Sequence, residues 1–355
     1  MKKSLLALAA LGAFAGAASA QSSVTLSGIV DAGVARVGTA TGHDWRMQPS
    51  QSGYSAFTIS GREDLGGGMS AFFLLNHRFR IQNGNTRGTT NADATELTTF
   101  WRNTAVGLAG GFGDVRLGRI LMPLQDMDAG FDPFATGTVG SVYSGGINAT
   151  LRANNAIYYR SPKLGGLSVH AAIAAGEGQI AGEHGGGLAG AVTPTAQLNR
   201  ERPLGASVRY AAGPLNVGLA YDRNTADLKT TGVYGAYDFG IFKLLGAFEK
   251  GDTFRGSAAA PGVAEDLKFF SIGLTAPFGP VLLRTGYARL NSDRNLCLNG
   301  AAGTSACDGN KFGFGGDYSL SKRTNLYATA AKSSGNRFTV AQKKAAFDVG
   351  VTHRF

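Results

Sequence analysis

Along most of the chain, apolar residues recur at every second position in segments of about ten residues, bounded by turn residues. In the last segment Phe347, Val349, Val351, His353 and Phe355 fall on one face, and Asp348, Gly350, Thr352 and Arg354 on the other. The first segment repeats this, with Val24, Leu26, Val30, Ala32 and Val34 set against Thr25, Ser27 and Asp31. A period of two is that of a pleated strand, whose successive side chains point to opposite faces. Further segments with an apolar face occupy 167–176, 215–222, 230–238, 242–249, 267–276 and 326–331. Short turns separate neighbours at Gly66-Gly67-Gly68, Gly110-Gly111, Lys163-Leu164-Gly165-Gly166, Gly213-Pro214, Phe278-Gly279-Pro280 and Ser321-Lys322-Arg323. Long polar or Gly-rich connections occupy 38–55, 83–97, 120–151, 177–202, 250–265, 291–310 and 333–345. Alternating short and long connections predict an antiparallel meander of about sixteen strands, with every long connection at the same end.

What covers the apolar face decides the class. No helical segment or second apolar sheet face is available to pack on it. A closed barrel in lipid lets that face meet acyl chains and leaves no unpaired edge. The expected fold is therefore all-β: a transmembrane, antiparallel, up-and-down β-barrel. Its other face is polar or glycine, which suits a watery lumen, and about sixteen strands make a barrel wide enough for one. Tyr158, Tyr159, Tyr210, Tyr221, Tyr237 and Tyr318 lie near strand ends, as interfacial girdles require. A soluble exported β-sandwich or passenger domain is the alternative reading.

Composition narrows the choice. The 53 glycines follow no three-residue period, which excludes collagen, and aromatics at 10% argue against disorder. Charged residues stand at 16%, below the usual ~25%. Beyond residue 20 no apolar run approaches the ~18–20 residues of a membrane-spanning helix. Residues 1–20 read as a cleaved signal peptide: Lys2 and Lys3, an apolar stretch, then Ala18-Ser19-Ala20. The remaining 21–355 form the barrel, and losing the two lysines lowers the formal charge from +10 to +8. Export permits disulfides, and Cys297 and Cys307 are candidates to close one local loop. Two cysteines at this spacing match no zinc pattern, so no metal is expected.

Nothing in the chain suggests catalysis. The five histidines, His43, His77, His170, His184 and His353, are scattered, and neither H-E-x-x-H nor G-x-S-x-G occurs. Gly185–Gly190 fits G-x-G-x-x-G, but in a long Gly/Ala-rich connection and not between a strand and a helix. No enzyme activity and no cofactor are expected. The basic residues are dispersed and the chain is exported, so nucleic acid is not an expected partner.

Several stretches resemble, in order, the trimeric general porins of Gram-negative outer membranes, in their beta-proteobacterial branch. They are Ser23-Val24-Thr25-Leu26-Ser27-Gly28-Ile29-Val30-Asp31-Ala32-Gly33-Val34, Gly61-Arg62-Glu63-Asp64-Leu65-Gly66-Gly67-Gly68, and the run from Ala105 through Gly113-Asp114-Val115-Arg116-Leu117-Gly118-Arg119. Arg152-Ala153-Asn154-Asn155, Tyr318-Ser319-Leu320-Ser321-Lys322-Arg323-Thr324 and His353-Arg354-Phe355 complete the set. The resemblance spans essentially the whole mature chain. It implies a homotrimer in outer-membrane lipid, passing small hydrophilic solutes and ions by passive diffusion; the +8 charge leans this weakly towards anions. A substrate-specific outer-membrane channel is the alternative. Phe355 resembles the terminal residue by which the barrel-assembly machinery recognises such chains.

The resemblance also implies that the third long loop, about 120–151, folds into the lumen and narrows it. That loop carries Asp126, Asp128 and Asp132, with Pro123 and Pro133 stiffening its course. Arginines on the facing wall complete the implied constriction: Arg102 and Arg152, with Arg62, Arg78 and Arg160 as further members. Arg209 and Arg284 share the inner-face parity. Ala56 and Ser60 stand where the family commonly carries basic residues, which puts a strong anion preference in question.

Overall fold

A computed structural model of the chain describes residues 23–38, 42–48, 55–84, 101–143, 147, 152–175, 201–224, 227–255, 263–292, 308–335 and 345–355. The expected signal peptide and the Cys297–Cys307 pair lie outside these residues. The first strands are β1 (Ser23–Gly38), β2 (His43–Gln48), β3 (Ser55–Gly66), β4 (Met69–Phe79), β5 (Trp101–Gly110) and β6 (Gly113–Leu121). A helix, α1 (Pro123–Phe131), precedes β7 (Arg152–Arg160), β8 (Leu167–Ala174), β9 (Leu204–Ala212), β10 (Leu215–Arg223) and β11 (Lys229–Asp238). The last are β12 (Lys243–Arg255), β13 (Val263–Phe278), β14 (Val281–Ser292), β15 (Gly309–Ser319), β16 (Thr324–Gly335) and β17 (Ala346–Arg354).

Apart from β2 and β3, which both pair with β1, consecutive strands pair antiparallel, and β1 pairs with β17 from Ile29 opposite Arg354 to Arg36 opposite Phe347, which closes the ring. β2 and β3 together fill one position. The first half of β1 pairs with β3 and its second half with β2. The closed barrel therefore has sixteen staves, as the alternation predicts. At the seam the Gly28 and Phe355 backbones exchange hydrogen bonds of 3.0 and 3.1 Å, and the Phe355 ring covers Gly28.

The two faces sort as the period of two demands. Val24, Leu26, Leu219, Val349 and Val351 are exposed on the outside, whereas Asp31, Asp348 and Thr352 are fully buried on the opposite face. Polar contacts knit that inner face across strands: the Tyr327 hydroxyl donates to Asp31 at 2.9 Å. Two sequence expectations change. Strands reach further than their apolar alternation, so β12 and β13 pair through much of the connection assigned to 250–265, and β2 lies within 38–55. The third connection is also not without structure, since it contains α1. Pro123 occupies the first turn of α1, where its missing N–H costs nothing. Leu124, Met127 and Phe131, spaced three and four apart, are buried, while Asp126 is exposed in the acid-favouring first turn.

The third connection packs on the sheet face opposite the apolar one. Met127 lies against Gly218 of β10, Pro133 against Gly273 of β13 and Gly286 of β14, and Gly140 against Gly313 of β15. A Cβ added at Gly273 would stand 2.5 Å from Pro133 Cγ. These inner-face glycines therefore make room for the connection, a use that differs from simply widening a lumen. Polar ties accompany the packing. The Val139 N–H donates to Asp348 Oδ2 at 2.9 Å, and an Arg284 N–H donates to the Pro133 carbonyl.

Candidate functional site

A half-open cavity of about 460 Å³ lies between the walls of β1 and β3–β8 and the exposed side of α1. Four arginines line it: Arg62 of β3, Arg116 and Arg119 of β6, and Arg160 of β7. Two acids line it as well, Asp114 of β6 and Asp126 of α1, together with Phe72, Asn103, Tyr158 and His170. Asp114 is held between two guanidiniums, 2.6 Å from Arg116 Nε and 2.8 Å from Arg160 Nε. Its charge is thus spent within the wall, and the lining stays net basic.

Aromatic faces fix the guanidiniums. Arg62 and Arg116 stand 5.9 and 5.7 Å from the Phe72 ring centre, and Arg116 is 5.8 Å from that of Tyr158. Such contacts contribute about 0.5–2 kcal/mol each. Arg62 also donates to Ser70 Oγ at 2.5 Å. The Tyr158 hydroxyl pairs with His170 Nδ1 at 2.9 Å, so this histidine is hydrogen-bonded at the cavity wall.

Arg119 lines the cavity beside a break in the β6–β7 register. Leu117 is exposed on the outer face, and parity puts Arg119 beside it. The β6–β7 register shifts between Gly118 and Ile120, with Gly118 at φ +146°, a conformation that L side chains rarely adopt. Asn154 and Asn155 of β7 stand opposite Arg119 alone, so the extra residue lies on β7, and Arg119 donates to Asn154 Oδ1 and, at 3.2 Å, to the Arg102 carbonyl.

The residues singled out from the sequence divide into three groups. Arg62, Arg160 and Asp126 line the cavity. Arg152 is buried just behind it and donates to Asn103 Oδ1, itself a lining residue, at 2.7 Å. Arg78 and Arg102 are not among the lining residues: Arg78 pairs across strands with Ala56, and Arg102 is skipped where the β4–β5 register shifts. Asp128 and Asp132 are buried. Asp132 accepts the N–H groups of Phe134 at 3.0 Å and Thr136 at 2.9 Å, which shapes the turn after α1. Asp128 accepts from the Tyr234 hydroxyl of β11 at 2.7 Å. Burial, and then the neighbouring Glu249 charge, push the Asp128 carboxyl well above the usual carboxylate range. Burial likewise raises the Tyr143 hydroxyl above its ordinary value.

Of the remaining inner-parity arginines, Arg284 pairs with Asp317 at 2.9 Å, while Arg209 donates to Asn216 and covers the Phe131 ring. Sequence reasoning missed Asp114, Arg116 and Arg119 as site residues. The parity of Asp114 and Arg116 was available to find them; Arg119 has the opposite parity, where alternation gives no signal.

Comparison with known proteins agrees with this architecture. The Gram-negative porin family model matches residues 7–337. Outer membrane porin protein 32 of Delftia acidovorans is 33% identical over 355 residues, covering 93% of this chain and 89% of its own. The solved anion-selective porin from Comamonas acidovorans superposes with a TM-score of 0.72 at 26% identity, covering 94% of this chain and all of its own. OmpT, an outer membrane protein of Vibrio cholerae solved in trimer form, shares the fold alone, with a TM-score of 0.63 at 14% identity over 94% of this chain and 99% of its own. The chain belongs to the Gram-negative porin family of the outer membrane.

Proposed function

We propose that this porin is a passive, anion-preferring channel whose narrow zone lies between the Arg62–Arg116–Arg119–Arg160 wall and Asp126 of α1. The observation that carries the reading is the imbalance of the lining, four arginines against two aspartates, one of which is already clasped by two of those arginines. The third connection lies inside the barrel and narrows it, supported by its packing on Gly218, Gly273 and Gly313. With Asp128 and Asp132 buried, Asp126 is the one loop acid left to oppose the basic wall. Opposed charges set up a transverse field in which small polar solutes orient and recover part of their hydration, while bulky apolar ones gain nothing. The path supplies no chemistry.

The wider setting follows from family membership. Three copies assemble in outer-membrane lipid, residues 1–20 are removed on export, and Phe355 presents the last strand to the assembly machinery. The test is swelling of liposomes that carry the refolded barrel. Small mono-anionic solutes enter faster than neutral solutes of equal size, and those faster than cations. Equal rates for all three contradict the anion preference, and no swelling with any of them contradicts the channel.

A further inference from the structure

The tie between α1 and the β11–β12 wall is built from acids without a base. Asp128 is 1% exposed and Glu249 of β12 0%. The Tyr234 hydroxyl stands between them, 2.7 Å from Asp128 Oδ1 and 3.1 Å from Glu249 Oε1. It has one proton to give, so it serves one of the two at a time. Asp128 Oδ2 is buried without a donor and turns to the Glu249 carboxyl. The groups facing the pair are acidic or neutral: Asp222 approaches from β10 and Tyr234 from β11, the loop's Tyr143 and Ile147 N–H reach Glu249, and Ser271 of β13 stands beside Tyr143. Asp132, further along the loop, faces Tyr143 and the buried Lys311 of β15 instead. Among the described residues, no lysine, arginine or histidine comes within 4.0 Å of either carboxyl. Arg209 of β9, the basic residue next to α1, is held over the Phe131 ring. The loop's far end differs, since Asp348 there accepts an N–H from Val139 and a hydroxyl from Thr329.

Two ionised carboxylates cannot share a dry site without a cation. We propose that Asp128 and Glu249 hold one proton between them, and that this proton positions the third loop against the wall and so sets the width of the channel. The proposal rests on the channel reading above. Asp128 and Glu249 act as positioning residues, not as part of the conducting lining. The sign follows from proton counting. With the loop docked the pair keeps a proton that both carboxyls give up in water, so docking is firmest at acid pH. It weakens as pH climbs above the ordinary carboxylate range, with the ratio of undocked to docked loop rising at most about tenfold per pH unit.

The experiment is single-channel recording of the full chain from about pH 5 to about pH 9, a window that spans the range above ordinary carboxylate titration. Closing events and open-channel noise increase reversibly with pH. Glu249→Gln supplies a permanent N–H donor to Asp128 and flattens the profile, and Asp128→Asn does the same. A wild-type profile flat in pH, or a Glu249→Gln profile like the wild type's, overturns the shared proton while leaving the channel intact. No conductance at any pH defeats the channel reading itself. Infrared spectra of the native barrel need no variant: a protonated-carboxyl carbonyl band is present at neutral pH, and its absence overturns the proposal.

Discussion

Arg116 shows how one side chain carries charge into the cavity lining. It stands between the rings of Phe72 and Tyr158, with Asp114 2.6 Å from its Nε. Arg116→Ala leaves Asp114 to Arg160 and removes one positive charge from the lining, so the reversal potential in a salt gradient moves towards the cation value. Ser60 also lines the cavity, and Ser60→Arg moves it the other way. If neither substitution displaces the reversal potential, the wall does not set selectivity. At this scale the sequence was legible wherever strict alternation held, as for Arg62 and Arg160. It was silent at Arg119, which shares the parity of the outward Leu117 yet lines the cavity opposite the β7 bulge at Asn154 and Asn155. It also gave Asp126, Asp128 and Asp132 one role, since composition cannot separate an exposed loop acid from one buried against a wall.

Among the elements, α1 depends on glycines far away in sequence. Gly218, Gly273 and Gly313 each leave the space that a residue of the third connection occupies. Filling such space costs about 1–3 kcal/mol where the neighbour cannot yield. Pro133 is rigid, so Gly273→Val displaces the connection from the wall and changes single-channel conductance. The heat-modifiable gel mobility of the barrel stays as it was; an unchanged conductance contradicts the packing described. The helix was foreshadowed by Pro123 and the spacing of Leu124, Met127 and Phe131. Nine residues amid glycine and proline are too few for periodicity alone to establish a helix. The strand count was legible because turn glycines and the pleat period agree. Strand ends were not, because pairing runs beyond the lipid-facing stretch into polar sequence, as in β12 and β13.

The molecule as a whole is one closed sheet whose outside is solvated by lipid. Leu219 sits midway along β10 and 55% of it is exposed outward. Leu219→Arg costs about 2–4 kcal/mol of folding free energy in a bilayer if that position meets acyl chains near the midplane. Denaturant titration in lipid vesicles reads this directly, and a change within experimental error contradicts the assignment of the outer face. Closure depends on the Gly28–Phe355 seam, so removing Phe355 lowers the yield of heat-modifiable barrel. Both faces, the closure and the family were legible from the sequence. The net basic lining was not, because it depends on which acids are buried and on Arg119, which lines the cavity against its parity.

The central claim is an open channel whose basic wall outweighs its acids. Planar-bilayer recording with a salt gradient tests it most directly. Stepwise conductance in groups of three is expected, with a reversal potential on the anion side that shrinks in Arg116→Ala. Folded barrels that conduct with a cation-side potential, or that do not conduct at all, contradict it.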